Sequence, residues 1–287
     1  MAALFFGLVL ATGGPAVAQE TAYATPCRAH AEFAGAAEAN AASLDTLEWS
    51  PFGPETGWEA YAPAVMREIG TDCPPYTPDF AGALAAWQTR WDLAPTGVFG
   101  PEAFQVLKGL WQERRPFVMA RFRDECPPPP PPSALRVMDE SEDAGFREGR
   151  FLRGDVLAWY RAMVRDARAA DPAIAADPEL LTLFSGYRAP EDDQLRCETE
   201  GGCDGVRRAV CSPHRTGTAI DLYVGRLPGE TADSTRPQNR LHQSRGPAYR
   251  WLMANAHRYG FVNYLYEPWH WEWVGPPGAE TRTASAP

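Results

Sequence analysis

A histidine and an aspartate stand seven positions apart in the stretch "CSPHRTGTAIDLYVG" (211–225), as His214 and Asp221. A glycine lies between them, and apolar residues surround the aspartate as they do in a β-strand. Histidine nitrogen and carboxylate oxygen are common zinc ligands. The stretch alone does not distinguish a metal site from a buried histidine followed by an ordinary strand, so other donors in the chain must decide.

Another pair of candidate residues lies near the end of the chain, in "EPWHWEWV" (267–274). His270 begins a strand-like run and follows Glu267 by three positions. A catalytic zinc ion takes three protein ligands and keeps one position open. The residue types therefore predict a zinc site with three ligands, namely His214, Asp221 and His270.

A carboxylate beside such a site can act as a general base toward water. We predict this role for Glu267, because Pro268 restrains its backbone toward an extended conformation that aims the carboxylate into the site. Glu272 is the alternative, since it follows His270 by two positions and would share its strand face. Glu272 would then act as the base or support the site from behind.

Four blocks in the same order extend this pattern. "SGYRAPEDDQ" (185–194) is followed by "SPHRTGTAIDL", by "YRWLMANAHRYGFV" (249–262) and by "EPWH". The second block reads Ser-x-His-x-x-Gly-x-Ala-x-Asp, and the last reads Glu-x-x-His. Together the blocks resemble the VanY-type zinc D-alanyl-D-alanine carboxypeptidases, the LAS group of peptidoglycan peptidases. The resemblance spans about 180–275.

This resemblance implies zinc as the cofactor and peptidoglycan stem peptides as the substrate. It implies that Glu267 is the general base and that Arg188 holds a substrate carboxylate or the developing oxyanion. Gln194 and Ser212 match the pattern and are expected on the substrate side. The zinc ligands that it implies are those chosen above from residue type, His214, Asp221 and His270.

Three alternatives remain open at this point. The same machinery could cut cross-links inside the peptide as an endopeptidase rather than release a terminal residue. The domain could bind the cell wall without turnover, or zinc could only stabilise a structural envelope protein. The segment Cys197–Cys211 departs from the family pattern beside the expected cleft, so substrate preference does not follow from the resemblance alone.

The elements around these residues alternate between helix and strand. Amphipathic periodicity predicts helices at 154–170 and 247–261, and apolar runs predict strands at 179–188, 218–224 and 269–274. We expect an α+β fold in which helices pack on a small antiparallel sheet. His242 and His257 are predicted to be packing or surface residues.

Six consecutive prolines in "CPPPPPPS" (126–133) divide the chain. Such a run forms a stiff extended spacer. It separates a helical N-terminal region, 19–125, from the expected peptidase domain, 134–275. The Pro- and Ala-rich end, 276–287, is predicted to be disordered.

The N-terminal region contains a helix, the turn "TGVFGP" and a second helix within about 76–115. Thr77 and Pro78 are typical of a helix start, and Phe80, Leu84, Trp87 and Trp91 recur at helical spacing. This pattern resembles the small peptidoglycan-binding module, which implies a wall-anchoring role. The alternative is a generic helical hairpin with an aromatic core.

The first eighteen residues have the features of an export signal, with an apolar run at 3–12 and "AVA" at 16–18. The alternative is a buried N-terminal helix. All six cysteines follow the predicted cleavage point before Gln19, which favours up to three disulfides in an exported, periplasmic or secreted protein. A zinc cluster of Cys197, Cys203 and Cys211 is the competing interpretation.

Composition excludes some partners. The chain has 27 Lys and Arg residues against 37 Asp and Glu residues, a formal net charge of -10. Nucleic-acid binding requires basic surface, so we expect none. No internal stretch approaches the roughly 20 apolar residues that a membrane helix needs, and the mature chain is expected to have no membrane span.

Overall fold

The computed structural model describes residues 27–145, 150–201 and 211–276. The predicted signal peptide (1–18) lies outside these residues, as does nearly all of the predicted tail at 276–287. A helical region is followed by helices packed around a small antiparallel sheet, which confirms the α+β prediction. None of the described helices is long and apolar enough to cross a membrane.

The N-terminal region is built from short helices: α1 (Ala34–Ser43), α2 (Ala62–Ile69), α3 (Pro78–Arg90), α4 (Pro101–Glu113) and α5 (Pro116–Phe122). An antiparallel ribbon of β1 (Glu48–Trp49) and β2 (Glu55–Thr56) lies between α1 and α2. Helix α3 begins as predicted, because the Thr77 hydroxyl accepts a hydrogen bond from the backbone N–H of Phe80 at 3.4 Å.

Three of the four predicted aromatic and aliphatic face residues of α3 are buried, namely Phe80, Leu84 and Trp87. Trp91 is the exception, since it follows the last residue of the helix and 43% of it is exposed. Gln88 fixes the turn to α4 by accepting a hydrogen bond from Gly97 N and donating one to Val98 O. The predicted helix–turn–helix is confirmed as structure, and its ligand stays a prediction.

The strands of the C-terminal region are β3 (Leu135–Val137), β4 (Phe151–Arg153), β5 (Leu183–Ser185), β6 (Ala219–Leu222), β7 (Phe261–Asn263) and β8 (His270–Trp273). Strands β3 and β4 form a ribbon, and the others form one antiparallel sheet in the order β5-β6-β8-β7. Asp221 stands opposite His270 in this sheet, and Ala219 stands opposite Glu272. The sheet therefore places two separate sequence motifs side by side.

The C-terminal region has five α-helices among its described residues: α6 (Gly154–Ala170), α7 (Pro172–Ala176), α8 (Pro190–Glu200), α9 (Pro237–Arg245) and α10 (Pro247–Asn255). Helix α6 has the predicted bounds and buries its apolar face, including Leu157 and Met163. The helix predicted at 247–261 ends in a 3-10 turn at Gly260, whose φ of 80° suits glycine.

The helical region and the C-terminal region pack directly against each other. Buried hydrophobic side chains of both belong to one continuous cluster. Arg67 of α2 donates hydrogen bonds to the backbone carbonyls of Met253 and Ala254, at 3.0 and 3.3 Å. The polyproline segment thus joins two parts that share a core, and the domain boundaries drawn from the sequence stay a prediction.

Disulfides fasten both regions. Cys27 is bonded to Cys73, and Cys126 is bonded to Cys211. Cys197 is also disulfide-bonded, and no described cysteine is free. The predicted disulfides are confirmed, and the partner of Cys211 lies at the start of the proline run.

Candidate metal centre

The centre of the candidate site is a pair of side chains that face each other across the middle of the sheet. Asp221 on β6 and His270 on β8 are cross-strand partners. Their Oδ1 and Nδ1 atoms are 2.8 Å apart, and both residues are buried. Opposed positions on antiparallel strands hold side chains close together, so the sheet register itself fixes two of the three candidate donors.

His214 reaches the same point from a 3-10 turn, Pro213–Thr216, that precedes β6. The Ser212 hydroxyl accepts a hydrogen bond from His214 N at 3.2 Å and so caps this turn. Gly217 ends the turn with a φ of 68°. The predicted residue Ser212 therefore shapes the backbone that carries His214.

The hydrogen bonds of His214 define which ring nitrogen is available. Its Nδ1 lies 2.7 Å from the carbonyl oxygen of Gly186, and a carbonyl only accepts, so Nδ1 carries the proton. The other ring nitrogen, Nε2, points to Asp221 and lies 3.3 Å from Oδ2. Burial lowers the pKa of His214, although Asp221 opposes that shift, and the neutral ring is the form that binds metals.

The three side chains fit a zinc ion. His214, Asp221 and His270 each offer one donor atom, all within 4.8 Å of one another and all buried. Two imidazole nitrogens and one carboxylate oxygen match the ligand types of catalytic zinc sites. The structure thus brings together the three residues that the sequence nominated as ligands.

Mutual electrostatics favour an ionised Asp221 and a protonated His270. Burial raises the pKa of Asp221, but the charge and hydrogen bonds of His214 and His270 outweigh it and lower that pKa overall. Burial lowers the pKa of His270, yet hydrogen bonds with Asp221 and Glu272 raise it to about 9. A divalent cation would replace the proton that His270 otherwise carries.

Glu267 lies in the loop that leads into β8. Its backbone N–H donates to Tyr264 O at 2.8 Å, and its carbonyl accepts from His270 N at 2.9 Å, so the turn ties Glu267 to the ligand. Burial raises the pKa of Glu267, which is partly offset by the nearby positive charge of His270. A carboxylate with a raised pKa is a better proton acceptor at neutral pH.

Arg240 holds the segment immediately before Glu267. It donates hydrogen bonds to the carbonyls of Leu265 and Tyr266, at 2.8 and 2.9 Å. The same guanidinium forms a buried ion pair with Glu55 of β2, at 2.8 Å. The helical region therefore contacts the loop that carries the predicted base.

Glu272, the alternative base, is engaged elsewhere. Its Oε1 accepts hydrogen bonds from Nε and Nη2 of Arg115, at 2.9 and 2.5 Å, and lies 3.4 Å from His270 Nε2. Burial raises the pKa of Glu272, but hydrogen bonds and charges from His270 and Arg115 lower it to about 2. Such a carboxylate is a weak base, so the geometry favours Glu267.

Arg188 stands at the edge of the cluster. Its Nη1 donates to Asp193 at 3.1 Å, and its Nη2 donates to Ser185 Oγ at 3.2 Å. Ser185 Oγ is 3.5 Å from His214 Nδ1. The structure does not bring Gln194 into this group, because it is exposed on α8 and hydrogen-bonds to Glu198.

Two charged residues that shape the site were not predicted from the sequence. Arg115 and Asp193 are charged residues in charge-rich stretches, "QERRPF" and "PEDDQ", where exposed side chains are the usual expectation. Both are buried. The only available signal for Asp193 was its place one position before the Gln194 of the family pattern.

The fold and the donor set define an α+β domain with a buried site of two histidines and one aspartate. Residues 150–276 match the family described as "VanY: D-alanyl-D-alanine carboxypeptidase". This part of the chain therefore matches the VanY-type family that the sequence motifs predicted. The match begins after the polyproline segment and leaves the helical region unassigned.

Comparison with curated proteins gives a related result. The chain is 28% identical over 125 residues to YodJ of Bacillus subtilis (strain 168), a protein named provisionally as a carboxypeptidase. The match covers 35% of this chain and spans 40% of that protein's length.

Among solved structures, an LdcB LD-carboxypeptidase is similar with a TM-score of 0.36 and 23% identity, over 52% of this chain and 72% of that one. A mutant of the vancomycin resistance D,D-pentapeptidase VanY in complex with Zn(II) has a TM-score of 0.32 and 20% identity, over 53% and 86%. Likeness at this level adds nothing to the assignment of function.

Proposed function

We propose that this protein is a zinc-dependent peptidase that hydrolyses peptidoglycan stem peptides, acting as a D-alanyl-D-alanine carboxypeptidase. The observation that carries the proposal is the buried cluster of His214, Asp221 and His270 inside a VanY-type domain. Glu267 lies three residues from one of the ligands and completes the set of groups that metal-assisted hydrolysis requires.

The three side chains would hold zinc through His214 Nε2, an Asp221 carboxylate oxygen and His270 Nδ1. When bound, zinc supplies Lewis-acid activation of a water molecule and of the peptide carbonyl. His214 is presented in the tautomer this needs, because its other nitrogen donates to the Gly186 carbonyl.

Glu267 moves the proton. Its carboxylate accepts a proton from the attacking water and delivers it to the leaving amine nitrogen. The raised pKa of Glu267 favours uptake of that proton, and the carboxylate is regenerated when the amine departs. Glu272 does not take part in this transfer, because Arg115 holds it.

Arg188 binds the terminal carboxylate of the substrate. A guanidinium offers a planar pair of donors that matches a carboxylate. Contacts to Asp193 and Ser185 fix the orientation of the Arg188 side chain. Selection of a free C-terminus by this residue is what makes the enzyme a carboxypeptidase rather than an endopeptidase.

Export and wall attachment complete the proposal. The disulfides support an oxidising compartment, either periplasmic or extracellular. The helix–turn–helix of α3 and α4 would bind peptidoglycan and raise the local concentration of substrate.

The experiment is mass spectrometry of purified muropeptides after incubation with the mature, zinc-loaded protein. Loss of one terminal D-alanine from pentapeptide stems is the expected result. Conversion of cross-linked dimers to monomers without that loss would make the protein an endopeptidase. Unchanged muropeptides, with zinc bound, would identify a non-catalytic wall-binding protein.

A further inference from the structure

Arg115 of the helical region lies behind a predicted zinc ligand of the peptidase domain. We propose that Arg115 is a positioning residue for the metal centre, acting through Glu272 and Tyr264 on His270. This inference rests on the zinc site of the proposed function. It gives the helical region a second role, as a structural component of the active site.

The first link is a chain of polar contacts. Arg115 Nε and Nη2 both donate to Oε1 of Glu272, at 2.9 and 2.5 Å. That same oxygen lies 3.4 Å from Nε2 of His270. Since Nδ1 of His270 faces Asp221, the acceptor at Nε2 keeps the proton there and leaves Nδ1 as the donor to the metal.

The second link is a stack of rings. The Arg115 guanidinium lies over the Tyr264 ring, 4.0 Å from its centroid. The Tyr264 ring in turn meets the His270 ring edge-on, with centroids 5.9 Å apart. One arginine therefore contacts both groups that flank the imidazole, so the ring cannot turn without disturbing a buried contact.

Burial and distance in sequence argue that this arrangement is specific. The side chains of Arg115 and Glu272 are only 6% and 2% exposed, although they are 157 residues apart. Burial of an ion pair contributes little net stability, because desolvation opposes the attraction. Its location directly behind His270 points instead to a role in holding that ligand.

Zinc affinity of the purified full-length chain, measured by competition with a chromogenic chelator, tests the proposal. Arg115→Met should weaken zinc binding by about 10–100-fold, the usual effect of removing a group that orients a metal ligand. Arg114→Met is the matched control, because Arg114 pairs with Glu68 inside the helical region. It should bind zinc as tightly as the wild type does.

A folded Arg115→Met protein with wild-type zinc affinity would overturn the proposal. If that variant does not fold, Arg115→Met/Glu272→Met replaces it, since an apolar pair can substitute for a buried ion pair without loss of stability. The double variant should also bind zinc weakly, and wild-type affinity would again overturn the idea. A wild-type protein that binds no zinc would instead refute the proposed function.

Discussion

Asp221 and His270 stand opposite each other on two neighbouring antiparallel strands, with Oδ1 of the aspartate 2.8 Å from Nδ1 of the histidine. Their spacing is fixed by sheet register, whereas His214 arrives on a separate turn capped by Ser212. The donor set therefore has two rigidly paired members and one member whose position depends on a short loop.

This arrangement predicts how the metal is lost. The wild type should contain about one zinc ion per chain, and His214→Ala should lose it, because two protein ligands do not hold catalytic zinc. His242→Ala is the control, since His242 is exposed on α9 and should leave the zinc content unchanged. Elemental analysis after dialysis measures both. Full zinc retention in His214→Ala would show that the ligand set is wrong.

Individual helices and strands could be predicted from the sequence, because the patterns that specify them lie within a few neighbouring residues. Helix α6 has the predicted bounds since its apolar residues repeat at helical spacing over five turns. The strands bearing Asp221 and His270 were predicted from short apolar runs, which do not specify that the two strands pair. Boundaries were less accurate, as in β5, which is confined to Leu183–Ser185.

Long-range contacts could not be predicted in the same way. The ion pairs Arg115–Glu272 and Glu55–Arg240 join residues far apart in the chain, and no periodicity links their positions. Charged side chains are usually exposed, so the residue types alone do not predict that these four side chains are buried. The packing of the helical region on the C-terminal region could therefore not be predicted, since the proline run by itself indicates separation.

The choice between two glutamates yields the second prediction. Glu267→Gln should keep zinc and the fold but lose at least ~10²-fold in kcat, because the base is removed while the ligands remain. Glu272→Gln should instead weaken zinc binding, and its activity should recover at saturating zinc. Steady-state kinetics with a stem-peptide substrate across a zinc titration separates the two. The roles are reversed if Glu272→Gln stays inactive in excess zinc while Glu267→Gln remains near wild type.

The pKa of His257 predicts how the stability of the fold depends on pH. Burial and the nearby charges of Arg67 and Arg258 lower its pKa from 6.5 to about 4, and its buried Nδ1 has no hydrogen-bond partner among the described residues. As pH falls from 6.5 to about 4, the unfolded chain binds a proton that the folded chain does not. Above that range His257 is neutral in both states and has no effect, and as pH decreases through the range it increasingly favours the unfolded chain.

Replacing His257 should flatten this dependence. The decrease in Tm between pH 6.5 and pH 4 should be smaller for His257→Gln than for the wild type, as followed by circular dichroism. His242→Gln is the comparison, because that exposed ring should leave the slope unchanged. Parallel Tm profiles for His257→Gln and the wild type would assign the acid sensitivity to other groups.

The last prediction concerns Arg188 and the choice between exopeptidase and endopeptidase action. If Arg188 clamps a terminal carboxylate, Arg188→Lys keeps the charge but loses the planar fork. Hydrogen bonds to charged groups contribute about 1.5–3 kcal/mol, so kcat/KM should fall by about tenfold or more. Arg226→Lys is the control, because Arg226 is exposed and donates a hydrogen bond to the backbone carbonyl of Glu230.

Substrate chemistry distinguishes the two modes. The wild type should release one C-terminal residue from a stem peptide and should leave the same peptide intact when its C-terminus is amidated, since the amide removes the charge that Arg188 pairs with. Liquid chromatography with mass detection compares the two rates directly. Equal cleavage of amidated, cross-linked and free peptides would refute the clamp. Arg188 would then act on the developing oxyanion, close to Ser185 and His214, and the enzyme would be an endopeptidase.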